Sequence, residues 1–475
     1  MTMSLSTGLI SGMDTGSLVS QLVAAEAAPQ TALKTRLKTT ELAASAYRTV
    51  NTTFLAVSAA AEAALRPEAW NPTKASSSAS GVAVTATPGA AAGSISFTVK
   101  QLAAAHTVLN RNTTAGDWKS ASSLYGASEI QISDENNVAL TPKITIGGTG
   151  TLADAAAAIN ASSHGLTASV VQISSGEAAL RISAKETGAA SKFSVTGAGT
   201  FTINTAAADA QIEMGTTTPV TVSSSTNTFD SVLAGATFTV SKKDETATLT
   251  ISSDPDSVAA KVQALVDAVN AAVKTTRDYT SNAPGSTAAL KGDFAVSSLG
   301  GRLMDAVSFP VPGAVRVNPP GVTLPVPRDG LPSAMGFTVA KDGKSIAFDK
   351  AKFLTALKDD PSLAQRIVGG TAAAVGTDRI AGTADDVAAT GIAGRLLGVA
   401  KGASDSTTGS LVGLAKGQES LVKGYEDQIA AWDLRLAKRK ETLSRQFTAM
   451  ETALSSLRNQ STWLAGQING LPSGG

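Results

Sequence analysis

Apolar residues recur at intervals of seven along the C-terminal stretch of the chain, without a miss: Val422, Ile429, Leu436, Leu443, Met450, Leu457, Leu464 and Leu471. From Leu443 onward a second row sits four residues later, at Phe447, Leu454 and Ile468, with Ser461 the one polar exception. Alternating steps of four and three place both rows on one helical seam, the pattern of a coiled coil. Outside the seam lie charges of both signs, among them Arg435, Lys438, Arg439, Lys440, Glu441 and Arg445. The N-terminal stretch has the matching character. Leu18, Leu22, Leu33, Leu37, Tyr47, Val50, Phe54, Val57 and Leu65 follow helical spacing, with Asp14 as the expected N-cap and Pro29 expected to kink or split the helix. A helix over 16–65 would reach roughly 75 Å at 1.5 Å per residue. So long an amphipathic helix buries its stripe only against other helices, and the simplest partner is the other end of the same chain. An ordinary helical-bundle core would give the same periodicity. A helix lying on a membrane fits less well, because the polar faces carry mixed charge.

The middle of the chain changes period. Gly93–Lys100, Lys143–Ile146, Leu166–Ile173, Ala178–Ser183, Ala236–Ser241 and Thr246–Ser252 alternate apolar and small polar residues between turn signals, as strands do. One helix, Leu152–Ala161, is expected among them after Thr151. A second, from Ser257 to about Asp278, takes Asp254 or Asp256 as its cap and Val258, Val262, Leu265, Val266 and Val269 as its stripe. Then come a Pro-rich loop over Phe309–Pro332, a hairpin over Gly336–Phe348 turning at Asp342-Gly343, and a helix from Lys350 to Gly369. The expected fold is α+β and multidomain: paired N- and C-terminal helices in a coiled coil, and a mixed leg domain carrying β-rich head domains inserted between them. The expected boundaries are 1–42 with 432–475 for the coiled coil and 43–75 with 272–431 for the leg. The inner head is expected at 76–112 with 213–271, and the outer head at 113–212.

Composition narrows the chemistry. The net charge is +1, which gives no electrostatic reason for a nucleic-acid or membrane-surface partner. Residues 76–271 carry 10 basic and 15 acidic side chains, so the head is mildly acidic. There is no cysteine, which removes disulfides, thiol nucleophiles and cysteine-held metals together. Such a chain does not depend on oxidative folding, although an ordinary cytosolic protein without cysteine fits the same observation. The first basic residue is Lys34, and residues 1–13 hold no apolar run, so no cleavable secretory signal is expected. No stretch approaches the roughly 18 apolar residues of a membrane span.

Catalytic patterns are missing. The two histidines, His106 and His164, lie in Ser/Ala-rich contexts without an acidic partner nearby, and are expected to be structural or solvated. Gly147-Gly148-Thr149-Gly150 is Gly-rich, but Thr151 follows where a phosphate loop needs Lys, so a turn is expected. Asp378 with Asp385 and Asp386 could offer oxygens to Ca²⁺, but the loop lacks the closing bidentate Glu, and a solvated loop is the expectation. The residue inventory points away from an enzyme, and no cofactor or metal is expected.

Four segments in order resemble one family. Gly8-Leu9-Ile10-Ser11-Gly12-Met13-Asp14, followed by Leu18, Val19, Gln21 and Leu22, is similar to the opening of flagellar filament caps of the hook-associated protein 2 family. Val99-Lys100-Gln101-Leu102-Ala103 resembles the strand that starts their head. Thr151–Asp154 through Ile159-Asn160-Ala161, then Gly165–Val170, resembles a helix-then-strand element shared with flagellins and other hook-associated proteins. Thr226–Asn270 resembles two strands and a helix ending near Asp267-x-x-Asn270. Leu290–Asp293, Gly336–Thr338, Asp342-Gly343 and Phe348-Asp349 follow in order, whereas Phe309–Pro327 and Gly369–Ala389 look like insertions.

The resemblance implies a homo-oligomeric ring, a pentamer in expectation, at the tip of the filament. There it would prevent the loss of exported flagellin and promote its folding and insertion. It implies flagellin, a hook-filament junction protein and a cytoplasmic export chaperone as partners, with a host glycan or mucin as a further target of the exposed head. It also implies an extracellular location reached through the flagellar type III export route. Leu18, Leu22, Leu33, Leu37 and the C-terminal seam are the expected assembly residues. Two alternatives stand beside this: another filament component (a flagellin or junction protein), or a surface adhesin acting through its head.

Overall fold

The computed structural model of the chain describes residues 14–112, 118–312, 314, 330–370 and 390–469. The helices among them are α1 (Thr15–Glu26), α2 (Ala28–Leu65), α3 (Leu152–Ala161), α4 (Pro255–Thr280), α5 (Phe294–Ser308), α6 (Lys350–Asp359), α7 (Pro361–Val368), α8 (Gly391–Ser404) and α9 (Ser410–Asn469). The chain divides into two compact units, one of residues 1–66 with 259–475 and the other of residues 67–258.

The first unit is helical. α2 packs along α8 and α9, and α1 packs along α9. The expected N-terminal helix is split, but at Ala27, where the backbone breaks the run and leaves Pro29 inside the first turn of α2. There the ring has no intrahelical hydrogen bond to remove. Asp14 caps α1 as expected, its Oδ1 accepting the Ser17 N–H at 2.9 Å. The far half of α2 buries Tyr47, Val50, Phe54, Val57, Ala61 and Ala64. The stripe of α4 (Val262, Leu265, Val266, Val269), with Leu299 and Leu303 of α5 and Ile392 and Leu396 of α8, is likewise buried in this unit. The expected hairpin pairs Phe337–Val339 with Ile346–Phe348. Gly336 enters it at φ +83°, where a side chain would meet the Asp349 carbonyl at 2.5 Å.

The single helix expected over Lys350–Gly369 is two. Pro361 cannot continue a helix, and Asp360 closes α6 while its Oδ1 accepts the Leu363 N–H at 2.9 Å to open α7. Helices α5 and α8 had no sequence expectation. The Pro-rich loop and the Asp378/Asp385/Asp386 loop lie mostly or wholly outside the described residues.

The second unit holds two β cores. In the inner lobe, a five-stranded antiparallel sheet runs in the order Thr73–Ser77, Thr246–Ser253, Gly93–Gln101, Ala210–Met214, Val220–Ser224. It shares its core with a three-stranded sheet of Thr228–Leu233, Ala236–Val240 and Val82–Ala86. Phe97 and Phe229 both stack on Phe238, with centroids 4.9 and 5.2 Å away. In the outer lobe the order is Thr200–Thr205, Thr107–Arg111, Glu177–Ala184, Leu166–Ser174. Its core also takes in α3 and a small sheet built on Glu129–Ser133.

Several strands lie across the expected boundaries: Thr73–Ser77 and Ala210–Met214 pair within the inner-lobe sheet. Thr107–Arg111 is held in the outer lobe rather than the inner one by backbone pairing with Glu177–Ala184 and Thr200–Thr205 on its two sides. From Ala259 onward α4 groups with the helical unit, since the stripe that follows Val258 is buried there.

Candidate assembly surface on the terminal helices

Helices α1 and α2 run antiparallel to α9, a direction fixed by three polar pairs. Gln30 Nε2 donates to Asp433 Oδ1 at 2.6 Å, Arg439 Nε to Glu26 Oε1 at 2.9 Å, and Arg48 Nη2 to Glu419 Oε1 at 2.7 Å. The two ion pairs are exposed and contribute on the order of 0–1 kcal/mol each. Gln30 is buried, and its hydrogen bond to a carboxylate contributes about 1.5–3 kcal/mol while fixing register. On the outer face of α2 the hydroxyls of Thr31, Thr35 and Thr39 donate to carbonyls four residues back, as does that of half-buried Thr40 on the inward side.

Those expected seam residues whose side chains the structure describes fall into three groups. Leu33, Leu37, Val422, Ile429, Leu436 and Phe447 are half-buried, and Leu443 is buried. Leu18 and Leu22 are not on the inward side of α1, being 40% and 43% exposed. Val19 is buried and Val23 half-buried in their place, a shift of one residue that turns the inward face by about 100°. Farther along, Met450, Leu454, Leu457 and Leu464 are exposed, and Trp463 beside them is 66% exposed. Ile468 lies in the last turn of α9 and its side chain is outside the described residues, as is Leu471 altogether.

The physical cause is length. Between Glu26 and Arg48 the chain advances 22 residues while α9 runs back 20, so Thr15 stands opposite about residue 450. From there to Asn469 the helix continues for roughly 28 Å with no described partner. A shallow depression on that stretch is lined by Thr452, Ser455, Ser456, Asn459, Gln460 and Trp463. The heptad signal marks an apolar stripe and does not tell which part of it is covered among the described residues. The residues that set register, Gln30, Glu26 and Arg48, carried no apolar signal. Gln30 could have been suspected from its place three residues before Leu33 on the same face.

Elsewhere the chemistry is structural. The Gly147–Gly150 turn is filled by the Asp154 carboxylate, which accepts from the N–H groups of Thr149 and Thr151 at 3.1 and 3.0 Å and from both their hydroxyls. Those bonds hold the Asp154 carboxyl below the usual range, the backbone and side chain of Thr151 contributing most. No cluster of three or more His, Asp or Glu able to hold a metal occurs among the described residues. No helix among them is long and apolar enough to cross a membrane.

Comparison with known proteins bears on this architecture directly. The profile described as flagellar hook-associated protein 2 C-terminus matches residues 207–459, and that of the flagellar hook-associated protein 2 N-terminus matches residues 11–106. No curated protein matches the chain. Among solved structures, the flagellar cap protein FliD D1-D2-D3 domains from Escherichia coli match at 22% identity, over 79% of this chain and 99% of that one, with a TM-score of 0.56. The D2-D3 domains from Escherichia coli match at 27% identity over 38% and 100% of the two chains, with a TM-score of 0.32. FliD (HAP2) from Pseudomonas aeruginosa PAO1 matches at 23% identity over 41% and 93%, with a TM-score of 0.32. The first of these likenesses shows a shared fold.

Proposed function

The chain belongs to the flagellar hook-associated protein 2 family, and from that premise we propose that it caps the flagellar filament. It acts outside the cell, at the filament tip, as a self-associating structural component that retains exported flagellin and promotes its insertion. The observation that carries the reading at the level of residues is the seam that outruns its partner. Within one chain, α1 and α2 cover α9 only as far as about residue 450, and an apolar edge continues through Leu454, Leu457, Trp463 and Leu464. Leu18 and Leu22 add a second apolar strip on the outward side of α1. Exposed strips on helices are what helix-to-helix assembly needs, because each becomes stable only on burial against another helix. We assign these residues to contacts with neighbouring subunits and filament. A ring of subunits, a pentamer in our reading, follows from the same premise, as do a junction protein and an export chaperone as partners.

The experiment is genetic and biochemical. Cells lacking the chain should release unpolymerised flagellin into the medium, and the full chain should restore filaments. A chain truncated after Lys423 should fail to restore them while residues 67–258 and the α2–α8 packing stay folded. Filaments restored by that truncated chain, or a normal flagellin pool without the protein, would sink the proposal.

A further inference from the structure

The outer lobe joins the inner lobe through two chain crossings, Leu102–His106 and Ala206–Asp209, bound side by side. Ala104 and Ala208 exchange both backbone hydrogen bonds, at 2.9 and 3.1 Å. The loop over 184–193 closes over them. Gly188 N–H donates to the Ala104 carbonyl at 3.3 Å, Ala189 N–H to Asp209 Oδ1 at 2.7 Å, and Thr187 Oγ1 to the Ser225 carbonyl at 2.8 Å. His106 sits at the centre of this joint, 2% exposed. Its N–H donates to Ser191 Oγ at 3.3 Å, its carbonyl accepts from Ala184 at 2.9 Å, and its ring stands edge-on to Phe193 at 4.9 Å.

The ring itself ties the crossings together. Nδ1 accepts the Ala207 N–H at 3.3 Å, so the neutral ring carries its proton on Nε2. A proton on Nδ1 would set two donors against each other in a buried place, and Ala207 would lose its acceptor. We propose that His106 is a proton-operated latch between the two lobes: neutral, it binds the crossings into one joint, and protonated, it releases Ala207 and loosens the outer lobe on the inner one. The charged residues on the surrounding segments are Lys185, Glu186 and Lys192 of the covering loop and Asp209 of the return crossing. The Asp209 carboxylate is engaged by Ala189. Burial first, and then the Lys192 charge, push the ring below the ordinary histidine value, with the Phe193 backbone opposing them. The sign follows. The fold favours the neutral ring, so the tie is fully present above about pH 6.5 and is lost as pH falls from there through the lowered value. The latch does not depend on the capping function.

The cysteine-free chain makes the test direct. Ser163→Cys in the outer lobe and Lys243→Cys in the inner lobe, both exposed positions, carry spin labels on the full chain. The inter-label distance distribution should be narrow at pH 7.5 and broaden about twofold by pH 4.5. In a chain also carrying His106→Gln, which cannot gain a charge, it should not change with pH. In parallel, ¹⁵N-histidine spectra of the native chain, which has two histidines, should show His106 titrating at the midpoint of the broadening. A distribution that does not change over this range, a broadening that persists in His106→Gln, or a His106 midpoint away from that of the broadening would each overturn the latch. The last comparison needs no variant at position 106 and stands even if that variant does not fold.

Discussion

Three asparagines hold this chain together in the same way. Asn160 at the end of α3 donates to the Ala168 carbonyl and accepts from its N–H, both at 2.8 Å. Asn270 of α4 does the same to Ile346 of the hairpin, both at 2.8 Å. Asn227 clamps Ala103 at 2.8 and 3.2 Å. Each amide imitates a strand neighbour, offering one donor and one acceptor to a part-buried backbone that would otherwise lack partners. Aspartate has the same shape and no donor. Asn270→Asp should therefore lower the stability of the helical unit by about 1–3 kcal/mol, read as a fall in urea midpoint at constant m-value. Asp154 gives a prediction with the opposite logic. Its carboxyl is held below the usual range, so its contribution is present above pH about 4 and lost as pH falls through the depressed value. Native chain and Asp154→Asn should differ most in stability above that pH and converge in acid. A constant difference from pH 2 to 6 would refute the role of the charge.

At the scale of elements, caps and breaks decide more than propensity. Asp14, Thr151, Asp293, Asp349 and Asp360 each accept a backbone N–H from the first turn of the helix they precede. The seam on α9 is regular, yet its partners are two helices separated at Ala27. The inward side of α1 carries Val19 rather than Leu18. Val19→Ala should cost about 1–2 kcal/mol in thermal unfolding followed at 222 nm, and Leu18→Ala no more than about 0.5. A larger loss from Leu18 would mean that the inward face is the one the heptads suggested.

At the scale of the whole molecule, separate cores matter most. Residues 67–258 carry their own aromatic and aliphatic cores, and the sheets of both lobes close among themselves. This piece should fold when expressed alone, with dispersed amide spectra and a cooperative melt. Loss of dispersion would show that it relies on the helical unit for stability. No disulfide contributes, since the chain has no cysteine, so each unit depends on its buried apolar area.

Local pattern determined a good deal of this protein. The terminal helices, the strands on either side of Leu152–Ala161, the Asp342-Gly343 hairpin and the family membership all rest on periodicity, caps and short ordered motifs. These are properties of neighbouring residues, and sequence displays neighbours. Tertiary structure alone decided the rest: that Val19 turns inward and Leu18 outward, that α9 continues past α1 and α2 beyond Met450, and that His106 sits buried across two crossings. The reason is that each depends on the relative placement of segments far apart in the chain. Periodicity identifies an apolar face but not what meets it, and a lone polar residue reads alike whether it is solvated or locked between two strands.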